Sequence, residues 1–264
     1  MHSSLIDASI VSLLTTRLLN HHHHHSSATK AKEDIVTDLL NLFISTHEVL
    51  MCTPSILDSL NVALDLLSPV VAQHGVVTLY SLLSIEAYRS IIGSKKPLVI
   101  ALMDLLGTPP STPTRSIKDV LKALFSLTLY LLNSIALIEL GIMSPLFLVV
   151  KDRWRVVVED AMVVIAWVTG CDDSIKSFRR VDNISVLVDL VVGGSRRARE
   201  NVAVTLLNLV KSDGNKTVGD VKEVNGAKAA MRALVSGNSR VSMRGKSKAE
   251  VLSRVLESGW GSQL

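Results

Sequence analysis

"LLNLVKSDGNKTVGDVKEVNGAKAAMRAL" (206–234) reads as an apolar helical stretch, a polar break and a second amphipathic stretch. The same layout opens on the same four letters 167 residues earlier, in "LLNLFISTHEVLMCTPSILDSLNVAL" (39–64). Such recurrence calls for a shorter internal period. Aligned on Leu39, Leu79, Leu124, Ile165 and Leu206, the chain shows spacings of 40, 45, 41 and 41 residues. The local strings are "LLNLF", "LYSLL", "LFSLT", "IAWVT" and "LLNLV". The long spacing has a visible cause, the Pro/Ser/Thr loop "GTPPSTPTRS" (107–116).

After each anchor and its polar break comes a second apolar helix, expected at 55–67, 97–106, 144–150, 184–192 and 227–235. Turn formers precede these helices. Gly141 in "ELGIMSPL" and Gly226 in "EVNGAKAA" supply the left-handed helix ending that other residues adopt only at a cost. Asn183 takes that place in "RVDNISVL", and Pro54 punctuates the first unit. A period near 41 with two helices per unit predicts an all-α fold, an α-solenoid of the armadillo/HEAT type. Each unit has apolar faces on both sides that only stacking on neighbours can cover. "IVSLLTTRLL" (10–19) reads as the end of a partial unit, and "RGKSKAEVLSRVLES" (244–258) as a last helix with a polar outer face.

Composition agrees. Of 264 residues 48% are apolar but only 4% aromatic, which suits helix-on-helix packing better than a β-sandwich. A net charge of +4 is too small and too scattered to point to nucleic acid. Cys52 and Cys171 stand far apart and outside metal-ligand spacing, so free thiols in a reducing compartment are expected. With no basic region ahead of the N-terminal apolar stretch, no signal peptide is expected. Ala123 to Ile138, sixteen residues without a charge, comes closest to a membrane span, yet it falls short of the roughly twenty that a span needs. A membrane-associated protein using the apolar segment 123–150 is kept as an alternative.

"KALFSLTLYLLNSIALIELGIMSPLFLVV" (122–150), "SRRARENVAVTLLNLVKS" (195–212) and the closing "RGKSKAEVLSRVLES" resemble the armadillo-repeat region of plant U-box ubiquitin ligases. The resemblance runs over about residues 33–258 and implies a right-handed solenoid of armadillo repeats. In that family the U-box recruits the ubiquitin-loaded conjugating enzyme and the array selects what is modified. The present 264 residues leave no segment over for a U-box. The resemblance therefore implies a protein-interaction module acting in ubiquitin-dependent turnover or signalling, cytoplasmic or nuclear. Transferase activity would need a U-box in a longer form or on a partner. The expected division is a partial helical unit with a disordered poly-His loop (1–32), the solenoid of about five units (33–258), and a flexible tail (259–264).

In an armadillo stack the helix carrying each anchor lines the concave surface. Two residues after each anchor stand Asn41, Ser81, Ser126, Trp167 and Asn208. Seven positions back on the same helical face stand Asp34, His74, Asp119, Asp160 and Asn201, all polar. Lys122 stands four positions back on that face, and Arg115 and Arg197 eleven back. A solvated face and a groove for a partner's peptide both explain the row. An asparagine amide can pair with a peptide backbone as donor and acceptor at once, but only Asn41 and Asn208 supply one at the first position. Trp167 reads either as a binding anchor or as packing against the next repeat.

No catalytic residue, cofactor or metal is expected. "HHHHH" (21–25) can meet metals, but a solvated polar run does not hold ligands in fixed geometry. "SRRARE" (195–200) offers three arginines at a helix start with Ser195 as cap, and reads as solvated charge or as a contact for an acidic or phosphorylated peptide. No Walker loop, dinucleotide fingerprint, nucleophile elbow or zinc-protease motif occurs. The Asp172-Asp173 pair reads as a turn. The expected partner is a protein or peptide in the concave groove, not a nucleic acid or a membrane.

Overall fold

The computed structural model describes residues 10–17, 30, 34–38, 51, 55–65, 68–107, 113–152, 155–171, 174–181, 184–236 and 242–258. Asn41, Cys52, Pro54, Asp172, Asp173, Asn183, the poly-His run and the tail 259–264 lie outside them. Every regular element among the described residues is helical. The chain groups into two compact units, Met1–Asn133 and Ser134–Leu264.

The first unit contains helical turns at 10–17 and 34–38, then α1 (Ile56–Asp65), α2 (Pro69–Leu83), α3 (Glu86–Gly93), α4 (Lys96–Asp104), a 3-10 turn (Leu105–Gly107) and α5 (Thr114–Thr128). Helix α6 (Leu131–Glu139) holds the division between the units. The second unit continues with α7 (Met143–Asp152), α8 (Arg155–Val168), α9 (Ser174–Val181), α10 (Ile184–Gly193), α11 (Arg196–Asp213), α12 (Asn215–Glu223), α13 (Ala227–Val235) and α14 (Met243–Ser258).

The repeat holds three helices, not the two that the apolar pattern announces. The additional ones are the short α3, α6, α9 and α12. α3 and α12 read as polar breaks because they bury so little, Ile92 and Gly93 in the one and Thr217, Val218 and Val221 in the other, whereas α6 lies within the charge-free stretch that continues from α5. Second helices fall at α1, α4, α7, α10 and α13, where expected, and third helices at α2, α5, α8, α11 and α14.

The third helices carry the anchors. Leu79, Leu124, Ile165 and Leu206 are all buried. Contacts run between like helices of adjacent repeats: α1 with α4 and α2 with α5 in the first unit, α10 with α13, α8 with α11 and α11 with α14 in the second. That is the nearest-neighbour pattern of a stacked array. Within the second unit Phe147 of α7 meets Phe178 of α9 edge to face, with ring centroids 5.6 Å apart. Gly141 and Gly226 have φ of +84° and +83°, the left-handed conformation expected of them.

No single described helix is long and apolar enough to cross a membrane. The charge-free stretch from Ala123 to Ile138 is divided between α5 and α6, which bend by 120° at their break. Of its apolar side chains Ala123, Leu124, Leu127, Leu137 and Ile138 are buried, Phe125, Ile135 and Ala136 half-buried, and Leu129, Tyr130, Leu131 and Leu132 at the turn exposed.

One contact in the first unit couples three helices. Asn133, buried in the first turn of α6, donates from Nδ2 to the carbonyl oxygens of Arg89 in α3 (2.8 Å) and Leu127 in α5 (3.2 Å). The amide fits because Gly93 has no side chain; a methyl group there would overlap the Asn133 amide. Gly93→Ala should lower the unfolding free energy by about 1–3 kcal/mol through overpacking. Asn133→Ala should cost about 1–3 kcal/mol by leaving buried carbonyls short of a donor. The double variant should lose clearly less than the two together, which urea unfolding of all three will show.

Asp65 and Asp104 are the last residues of α1 and α4, at the negative ends of two helix dipoles with no basic residue in either last turn. Burial, with Asp104 nearby, pushes the Asp65 carboxyl above its ordinary value. Ionisation of Asp65 therefore opposes folding. Its favourable contribution is present below the usual carboxylate range and is lost as pH rises through the raised value. Asp65→Asn should raise Tm at neutral pH, and the gain should close as pH is lowered through the carboxylate range.

Candidate functional site

Spacing places one face of each third helix in register, and the structure separates that face into members held by neighbours and members left open. In the first unit most are held. The His74 Nδ1 of α2 lies 2.9 Å from the Thr37 hydroxyl. Gln73 of α2 donates to Asp119 of α5 at 2.7 Å, and Lys122 reaches the other oxygen of the same carboxylate at 2.8 Å. The Lys122 ammonium also lies 5.9 Å from the centre of the Tyr80 ring. Asp119 is only 7% exposed, so a carboxylate in the predicted groove is a link between successive third helices.

The serines at the first position turn inward on their own helices. Ser81 donates to the Val77 carbonyl at 2.8 Å and Ser126 to the Lys122 carbonyl at 2.9 Å, and Ser126 is buried. Asp34 and Arg115 are exposed. Arg115 makes no ion pair or hydrogen bond among the described residues.

The second unit is more open. Ala166, Trp167 and Gly170 of α8 and its following turn, Glu200, Asn201, Val204, Leu207 and Asn208 of α11, and Arg244, Gly245 and Lys248 of α14 line a cleft of about 400 Å³. Trp167, read as groove anchor or packing residue, is 49% exposed here. Asn208 donates to the Ala166 carbonyl at 3.2 Å, tying α11 to α8, and Asn201 is half-buried with no hydrogen bond among the described residues. Asp160 is half-buried on α8, and Arg197 is exposed one turn before Asn201.

Arg244 and Lys248 were not among the residues that spacing selects. Both third-helix starts are capped by serine: Ser195 Oγ accepts from the Ala198 backbone N–H at 3.3 Å, and Ser242 Oγ from that of Gly245 at 3.2 Å. Aligned on these caps, Arg244 corresponds to Arg197 and Lys248 to Asn201. The signal was therefore present in "SRRARENV" and "SMRGKSKAEV". Alignment on apolar anchors misses it because α13 and α14 are joined by a longer connection than α10 and α11.

Glu200, the acid in the cleft, is already engaged. Its carboxylate accepts from the Ser242 backbone N–H at 2.7 Å and lies 3.9 Å from the Arg196 guanidinium. Arg244 and Lys248 have no such partner among the described residues. Cys171 is buried, and no group of His, Cys, Asp and Glu suited to a metal occurs among the described residues.

With helices, stacking and cleft in place, comparison with solved structures decides the architecture. A "Designed armadillo repeat protein YIII(Dq)4CqI" superposes with a TM-score of 0.70 over 93% of this chain and 99% of its own, at 18% identity. The fold is an armadillo-repeat solenoid. A second designed armadillo protein, solved "in complex with peptide (KR)4", gives a TM-score of 0.68 over the same shares of 93% and 99%, also at 18% identity. In sequence the chain is similar to plant U-box proteins. It is 26% identical to "U-box domain-containing protein 16" of Arabidopsis thaliana over 183 residues, 69% of this chain and 26% of that protein. It is 25% identical to "U-box domain-containing protein 1" of Medicago truncatula over 125 residues, 47% of this chain and 18% of that protein. The match thus spans about a quarter of the first relative's length and less of the second's. No protein-family model matches the chain.

The division of the polar face has a direct consequence. Asp119→Ala strands the Gln73 amide and removes the Lys122 partner, and should lower the unfolding free energy by about 1–3 kcal/mol. Arg115→Ala should change it by less than about 0.5 kcal/mol, as expected of an exposed side chain. Urea unfolding of the two variants measures the difference.

Proposed function

We propose that the chain is a non-enzymatic interaction module that holds a peptide segment of a partner protein against the polar faces of its third helices, in ubiquitin-dependent turnover or signalling in the plant cytoplasm or nucleus. The observation that carries this reading is the cleft of about 400 Å³ across α8, α11 and α14, with a half-exposed tryptophan, and with the Asn201 amide and cations that have no partner among the described residues. Such a surface combines an aromatic anchor with groups able to meet a peptide backbone. The similarity to plant U-box proteins supports the ubiquitin setting. The designed neighbour bound to (KR)4 supports a peptide as the occupant of this fold. That peptide is basic, however, and the cations around the present cleft do not suit it.

On this reading transfer of ubiquitin belongs to a U-box carried elsewhere, in a longer form or on another chain. The 264-residue chain, incubated with ubiquitin-activating and conjugating enzymes, should form no conjugates. Self-ubiquitination would contradict the non-enzymatic reading. Affinity purification with mass spectrometry from plant tissue identifies the partner. The triple reversal of Arg115, Lys122 and Arg197 to Glu should reduce its capture at least about fivefold, as lost charge complementarity does, with helicity unchanged by circular dichroism. Equal capture by the wild type and the reversed chain would remove the third-helix face from the account.

A further inference from the structure

The cleft of the second unit carries information about its occupant. Its charges sort by helix. On α14, Arg244 is exposed and Lys248 half-buried, and neither has an ion-pair partner among the described residues. On α11, the Glu200 charge is met by Arg196 and by the backbone N–H of Ser242, the cap of α14, so it does not neutralise them. Arg197, one turn before Asn201, adds a third cation with no ion-pair partner among the described residues. Asp160 of α8 is the other acid on this face, one helix further from α14 than Asn201. On α8 the ligand-facing group is apolar, the half-exposed Trp167 indole. Between the basic and the aromatic ends stand the amides of Asn201 and Asn208.

We infer that this cleft binds an extended acidic peptide, with carboxylate side chains on Arg244, Lys248 and Arg197 and an apolar side chain on Trp167. The inference rests on the interaction-module reading above and fixes the chemistry of the partner segment. Charge complementarity carries it, since open cations at a rimmed cleft select and steer an oppositely charged segment. The arrangement also sets a spacing. Adjacent packed helices lie about 10 Å apart, so α8 and α14, separated by α11, lie about 20 Å apart. An extended chain advances about 3.3 Å per residue. The apolar residue should therefore stand about six residues from the acidic pair.

The test uses the full chain and three pools of fluorescein-labelled nonapeptides, each with leucine fixed near one end and glutamate, lysine or serine pairs fixed near the other, all remaining positions degenerate. Anisotropy should show the glutamate pool binding at least about tenfold more tightly than the lysine pool, with the preference shrinking as salt is raised. Arg244→Glu/Lys248→Glu should reverse the order of the two pools, and Trp167→Ala should weaken the glutamate pool without changing the order. Both variants alter exposed or half-buried side chains, and circular dichroism checks that they fold. Equal binding of the three pools, or an unchanged order in the charge-reversed chain, overturns the acidic-peptide inference while leaving a peptide groove standing. Failure of every pool to bind overturns both.

Discussion

Contact between like helices of adjacent repeats is the constraint on which the rest of the structure depends. A three-helix unit of about 41 residues is too small to enclose its own core and has apolar surface on two sides. Leu79, Leu124, Ile165 and Leu206 are buried because third helices lie side by side, α2 on α5, α8 on α11 and α11 on α14. The same packing explains an apolar content of 48% without a long membrane helix among the described residues: the apolar positions are shared out over many short helices that cover one another.

Stacking also fixes what the polar face can do. Where third helices approach one another, polar side chains are drawn into links between repeats, as Gln73 with Asp119 and Asn208 with the Ala166 carbonyl. Such groups hold the array and are partly withdrawn from any ligand. Where the helices leave space, as around Trp167, Asn201 and Lys248, the face stays open. One row of residues thus serves two ends, and burial and partners separate them residue by residue.

The period, the second and third helices, and the glycine turns were legible in the sequence because each leaves a strong local signal: a buried leucine anchor, an apolar helical run, or a glycine at positive φ. The first helices were not. In α3 and α12, eight or nine residues with two or three buried positions look like a polar break, and α6 merges with the apolar run of α5. The face of the candidate site was legible from helical spacing, but its depth was not. Asp119 and Ser126 share the row with Arg197, yet burial by the neighbouring helix depends on side chains off the row, such as Gln73. Arg244 and Lys248 escaped because the longer connection before α14 shifts the apolar register, while the serine caps keep it.

Deleting residues 155–195, one repeat period, joins α7 directly to α11 in the connection it now makes with α8. Circular dichroism and urea unfolding of this shortened chain test the nearest-neighbour account most directly. The account predicts unchanged helicity per residue and a single cooperative transition, because each remaining repeat keeps a neighbour of the same kind. Loss of helical structure throughout the chain would show that the core depends on contacts between distant segments, and would contradict it.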